Sequence, residues 1–195
     1  MLEILGLIVL GVLGVVAAIL LAASTRADHF RTARTLRIAA TPERLFPLIN
    51  DLRQMNTWNP FALRETEGTA IYGGTASGPG QAYKFVGPKS GAGSIEIVEA
   101  TPPSSVVMRL KMTKPFKADN RVEFTLVPAA AMSGAVGTQA GSTSTGTAVT
   151  WAMTGRQPLL AKAVGLFIDC DKMVGRDFEA GLANLKAKAE DNGQG

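Results

Sequence analysis

Between Ile4 and Ala23 the chain carries no charged side chain, and Glu3 is the only charge before that stretch. No other feature of the sequence restricts the fold as strongly. At 1.5 Å of rise per residue, these ~20 positions make a helix of about 30 Å, the thickness of a bilayer's hydrocarbon core. Gly6, Gly11 and Gly14 weaken a helix in water but are common in membrane helices. A cleaved signal peptide is the rival reading, and Leu21-Ala22-Ala23-Ser24 resembles a cleavage site. A signal peptide, however, opens with a positive region and has a shorter apolar stretch. The segment is therefore read as a membrane anchor over residues 1–25. Arg26, Arg31, Arg34 and Arg37 follow it and no basic residue precedes it, so the positive-inside rule places the remainder in the cytoplasm.

That remainder, residues 26–190, has the size of one domain, and the polar residues 191–195 read as a disordered tail. Hydrophobic residues make up 46% of the chain, enough for a packed core. A net charge of +4 and a pI near 9.4 look basic, but Lys and Arg are scattered without a stripe or interleaved aromatics. Nucleic acid is not an expected partner. With Cys170 as its one cysteine and His29 as its one histidine, the chain has no disulfide framework and no multi-cysteine or His-rich metal site. No metal and no cofactor are expected.

His29 to Ala39 alternates in part and reads as a strand. Thr41 and Pro42 open a helix as cap and first residue, with Leu45, Phe46, Leu48, Ile49 and Leu52 at helical spacing. Leu52 to Trp58 reads as a second helix ended by Asn59-Pro60. Six strands follow, separated by Gly and Pro turns: Ala70–Tyr72, Gln81–Val86, Ser94–Ala100, Ser105–Met112, Arg121–Val127 and Thr147–Met153. Ala129 to Gly146 is small, uncharged and rich in Gly, Ser and Thr, as in a flexible hairpin extension. One long helix is predicted from Pro158 to about Ala189. Its apolar face runs through Leu160, Val164, Phe167, Val174, Phe178 and Leu185, with Gly181 allowing close packing on the sheet.

This order of segments resembles a known family. Thr41-Pro42-Glu43-Arg44-Leu45-Phe46 is similar to the opening segment of the polyketide cyclase/dehydrase group of the START-like (SRPBCC) superfamily. Asn50 to Phe61, with Trp58-Asn59-Pro60-Phe61, resembles its "W-x-P-F" motif. Gly91 to Ile97, Trp151 to Gly155 and Asp171 to Leu182 look like its mid-sheet strands and its C-terminal helix. The resemblance covers roughly Phe30 to Lys188. It implies an α+β helix-grip fold, a curved antiparallel sheet of about seven strands wrapped around a long C-terminal helix and an internal cavity. Such cavities bind lipids, hormones, polyketides or other hydrophobic molecules.

Asp171 is the most informative charge, since a continuous helix puts it between Phe167 and Val174 on the apolar face. An acid there is costly unless paired or facing a wet cavity. It is either a cavity acid with a raised pKa, able to orient a ligand or move a proton, or a helix-face acid bonded to a strand hydroxyl, a tryptophan N–H or an arginine. Trp58, Tyr72, Tyr83, Phe85, Met108, Met112, Trp151, Met153 and Phe167 are the candidate lining of an apolar pocket, or else core. His29 has no partner fixed nearby in sequence, and Cys170 reads as a buried inert thiol beside Asp169 and Asp171.

Three functions are compatible with these residues. The first is a membrane-anchored START-like protein that holds a hydrophobic small molecule or lipid. The second is a cyclase/dehydrase-type enzyme using Asp171 or a tyrosine. The third is a membrane-tethered interaction module without a ligand.

Overall fold

The computed structural model describes residues 2–129, 146–166 and 169–191. An apolar helix, α1 (Leu2–Ser24), precedes β1 (His29–Ile38) and three short helices: α2 (Pro42–Ile49), α3 (Leu52–Met55) and α4 (Pro60–Leu63). Five strands make the middle: β2 (Thr69–Gly73), β3 (Ala82–Gly87), β4 (Gly91–Thr101), β5 (Ser105–Lys114) and β6 (Ala118–Ala129). Then come β7 (Gly146–Arg156), α5 (Leu159–Val164) and α6 (Cys170–Asp191). All seven strands form one antiparallel sheet in the order β1-β7-β6-β5-β4-β3-β2, so β1 returns to pair with the last strand.

Every strand predicted from the sequence is present, displaced by a few residues at its ends. The helices differ in three respects. Thr41 precedes α2 in an extended conformation, but its side chain caps nothing, and Pro42 starts the helix. The chain turns into helix again at Pro60, where Asn59 Oδ1 accepts from the N–H of Phe61, so a proline expected only to end a helix also begins one. The predicted long C-terminal helix is two helices. The first ends at Gly165, and Asp169 starts the second by accepting from the Lys172 N–H at 2.9 Å. The Gly/Ser/Thr-rich segment 130–145 lies outside the described residues.

Residues paired across an antiparallel ladder share a face. One face therefore carries Ile38, Trp151, Phe124, Val106 and Ile97 and packs against the helices, forming the core with Leu45, Ile49, Leu52, Trp58, Phe178, Leu182 and Leu185. Trp58 meets Phe124 and Trp151 edge to face at 6.0 and 5.9 Å. Its indole N–H donates to the Leu48 carbonyl at 2.9 Å. Gly181 serves the predicted purpose: a Cβ there would stand 2.6 Å from the Trp151 ring and 2.9 Å from Pro60. α6 packs chiefly along β1, with further contacts to β7, α2 and α4. β2 and β3 lie at the opposite edge of the sheet.

Candidate functional site

The ladder registers place the inward residues in rows across the sheet, and burial falls from row to row. Met153, Val122, Met108 and Ile97 make one row, of which only Met153 is half-buried. The next runs Phe30, Gly155, Asn120, Leu110, Ile95, Tyr83 and Tyr72. The last runs Ala118, Met112, Gly93, Phe85 and Ala70, and none of it is buried. The concave face is thus packed under α6 and open toward the end where β1 begins and β7 stops.

The open part is apolar and aromatic. Tyr72 and Tyr83 stack with centroids 5.3 Å apart, and Phe85 continues the series 5.4 Å from Tyr83. Gly93 makes room for this surface, because a Cβ there would meet the Phe85 ring at 2.8 Å and the Met112 sulfur at 3.2 Å. Phe61 adds an edge-to-face contact with Trp151 at 6.4 Å. One polar group sits among these side chains. The Asn120 amide is buried and its nitrogen meets the Met153 sulfur at 3.7 Å. The buried Trp151 N–H has no partner among the described residues.

Tyr72 closes one flank: its hydroxyl accepts from Asn56 at 2.8 Å, and the Arg53 guanidinium lies 4.2 Å above its ring. Beside it, Arg53, Tyr72, Gly73, Thr75 and Gln81 border a hollow of about 290 Å³. Tyr83 is desolvated and adjoins Tyr72, and its pKa is pushed up to about 12, so its phenol stays protonated at neutral pH.

The predicted site residues separate into groups. Trp58, Met108 and Trp151 are core residues, each no more than 3% exposed. Tyr72, Tyr83, Phe85, Met112 and Met153 are half-buried on the open part of the concave face. Phe167 lies outside the described residues. Asp171 does not face a cavity. Its side chain is 55% exposed and its carboxylate is 3.2 Å from the Arg34 guanidinium. The Thr32 hydroxyl and Arg34 hold its carboxyl below the usual carboxylate range, which fits the second of the two readings, a helix-face acid bonded to a strand hydroxyl and an arginine, and not the cavity acid with a raised pKa. Asp171 does lie on the face of α6 that carries Gly175, Phe178 and Leu182, but it stands in the first turn, at the margin of the core, where it meets Arg34.

His29 is exposed at the start of β1, and Cys170 is half-buried rather than buried. Phe61, Leu110 and Asn120 were not anticipated. Leu110 was legible, since it shares strand parity with Met108 and Met112. Asn120 had no signal in its own sequence neighbourhood. No cluster of metal-ligating side chains is found among the described residues.

A family model described as polyketide cyclase / dehydrase and lipid transport matches residues 29–190. The chain belongs to this family. Solved structures of low identity share its fold. Protein MLL2253 from Mesorhizobium loti is 14% identical with a TM-score of 0.56, covering 84% of this chain and 98% of its own. Protein CV1439 from Chromobacterium violaceum is 16% identical with a TM-score of 0.52, covering 84% and 97%. Ara h 8.0201 is 9% identical with a TM-score of 0.52, covering 84% and 99%. At such identities the likeness is one of fold, the helix-grip architecture of the START-like superfamily. No curated protein matches the sequence. α1 lies outside the matched family segment. Within Glu3–Ser24 an 18-residue window reaches a mean hydropathy of 3.1, and the helix is long and apolar enough to cross a membrane.

Proposed function

We propose that this family member is a membrane-anchored protein that binds a hydrophobic small molecule or lipid on the open concave face. One observation carries the reading: Tyr83, Phe85, Leu110, Met112 and Met153 converge on one face of the sheet, half-exposed, where α6 does not cover them. Aromatic rings and thioethers give a large, adaptable apolar surface, and Asn120 supplies an orienting polar group, the usual make-up of a ligand site.

The groups that an enzyme of the cyclase type would use argue for binding instead. Asp171 is an ion-paired surface acid, and Tyr83 is neutral, so each is poorly placed as a base near neutral pH. With α1 in the bilayer, the site stays within reach of molecules that dissolve there. Arg26, Arg31, Arg34 and Arg37 after the span support a cytoplasmic domain. A C-terminal reporter active only outside the cytoplasm tests that orientation, and strong activity overturns it.

Native mass spectrometry of the full-length protein released from its own membrane tests the binding reading. An apolar molecule should co-purify, and it should be lost in Phe85→Ala/Met112→Ala. A protein that carries none, in any membrane lipid mixture, overturns the proposal.

A further inference from the structure

A short helix exposed to water turns its charges out and its aliphatic side chains in. α5 does the reverse. Lys162 is its only charged residue and is just 5% exposed, while Leu159 and Val164 are 45% and 44% exposed. The inversion has an identifiable cause. The Lys162 ammonium donates to the Arg26 carbonyl at 2.9 Å and pairs with the Asp28 carboxylate. Asp28 also accepts from the Gln157 N–H through its carbonyl at 2.7 Å, and the Arg26 guanidinium donates to the Gly165 carbonyl at 3.3 Å. The residues that leave α1 therefore grip both ends of α5 and hold its one cation away from the outer surface.

α5 also packs against α1, and the place of contact is defined. From Glu3 to Ser24 only Ile19 and Ala23 are not exposed, and they lie one turn apart on one side of the last turns of α1. A helix of 23 residues is about 35 Å long, slightly more than the hydrocarbon core, so its last turn lies at the boundary with the headgroups. α5 is fixed at that level, and Leu159 and Val164 are exposed there as Leu20 and Leu21 are on α1. Arg26, Arg31 and Arg156 are exposed at the same end of the sheet, where phosphate headgroups would meet them.

We infer that α5 is an interfacial helix, which seats Leu159 and Val164 in the headgroup–acyl boundary of the bilayer that holds α1 and so fixes the domain against the membrane. This rests on α1 spanning that bilayer. The anchor is then a clamped post instead of a loose tether. The strand ends at which the concave face opens, those of His29 and Arg156, are held toward the lipid. An aliphatic face of this kind sinks roughly 5–10 Å into the boundary region.

The test uses the full-length chain in vesicles of mixed zwitterionic and anionic phospholipid. Cys170→Ser is combined in turn with Leu159→Cys, Val164→Cys, Leu10→Cys or Glu43→Cys, and each thiol carries an environment-sensitive fluorophore. The expected result is blue-shifted emission at 159 and 164, quenched most by lipids bearing a spin label just below the headgroup. Emission at 10 should be quenched by labels at the bilayer centre, and emission at 43 only by aqueous iodide. If 159 and 164 respond to iodide alone while 10 remains in the bilayer, the interfacial helix is refuted and the anchor stands. If 159 and 164 are shifted but untouched by any labelled lipid, protein covers them, and the inference also fails. If 10 is aqueous, the anchor itself is wrong and the inference falls with it.

Discussion

Trp151 and Phe178 stack with ring centroids 4.3 Å apart and planes 9° from parallel, joining β7 to α6 at the centre of the core. Trp151 also meets Phe124 and Trp58, so one side chain ties the sheet, the C-terminal helix and the short helices together. Truncating Phe178 removes its share of apolar burial and leaves a cavity that a ring on each side prevents from closing. Phe178→Ala should cost about 3–5 kcal/mol in urea unfolding, and Phe178→Leu less than half of that. Equal effects of the two variants would mean that restored volume recovers nothing and that the ring-on-ring contact carries the whole cost.

The pairing of Arg34 with Asp171 and Glu179, at 3.2 and 2.8 Å, fastens α6 to β1 at a partly exposed position. Such pairs add little stability, because water screens them. Asp171→Asn should therefore leave the fold and ligand retention intact. It should alter the acid limb of stability: the carboxyl's folded pKa lies below its unfolded value near 3.8, so its contribution is present above that value and is lost as pH falls through the folded pKa. The variant's stability–pH curve should be flatter than the wild type's below about pH 4 and parallel to it above. Loss of a co-purified ligand in Asp171→Asn would return this residue to the site.

The strands were legible because period-two alternation survives in short segments such as Ser105–Met112, and parity alone puts Met108, Leu110 and Met112 on one face. What parity does not tell is which of these the helix covers. Met108 is fully buried and Met112 is not, and the difference depends on where α6 crosses a sheet closed by the β1–β7 pairing. The same non-local fact separates Trp58 and Trp151 from Tyr83 and Phe85. The periodicity put Asp171 on the right face of α6 but could not tell that this first turn lies at the margin of the core, within reach of Arg34. Lys162 and Asp28 are far apart in the chain, and no local pattern pairs them.

Gln81 is 2% exposed and stands between the sheet and the α2–α3 corner. Its carbonyl accepts from the Leu52 N–H at 2.7 Å, and its amide donates to Asp51 at 3.0 Å and to the Ala76 carbonyl at 2.6 Å. Gln81→Leu keeps the volume and strands those partners without water. A destabilisation of about 1–3 kcal/mol is expected, with faster amide exchange at Leu52 well before global unfolding. An unchanged exchange rate at Leu52 would show that another acceptor takes over.

Asp28 is held in its charged form first by the hydrogen bond from Lys162 and then by that residue's charge. Its lowered pKa means that the clamp between α1 and the domain is complete above about pH 4 and loosens as pH falls through the folded value. Asp28→Asn should imitate the acid state at neutral pH by leaving Lys162 with one fewer partner. Proteolysis between Ser24 and His29 should then quicken in vesicles, while the domain's own unfolding midpoint stays within a degree or so, since the change lies outside the core.

Trp58 and Phe85 were both candidates for a pocket lining, and the structure assigns them opposite consequences. Trp58 is 1% exposed, ringed by Phe124 and Trp151 and hydrogen-bonded to Leu48, so Trp58→Ala should cost about 3–5 kcal/mol and lose ligand only through unfolding. Phe85 is half-buried, touches Tyr83, and stands outside the close-packed cluster. Phe85→Ala should leave stability within about 1 kcal/mol and weaken binding of an apolar ligand roughly tenfold, the worth of about half a buried aromatic side chain. Binding and unfolding measured on the same two preparations separate the cases. A Phe85→Ala protein that unfolds as readily as Trp58→Ala, or binds as tightly as the parent, would place the ligand somewhere other than the open end of the sheet.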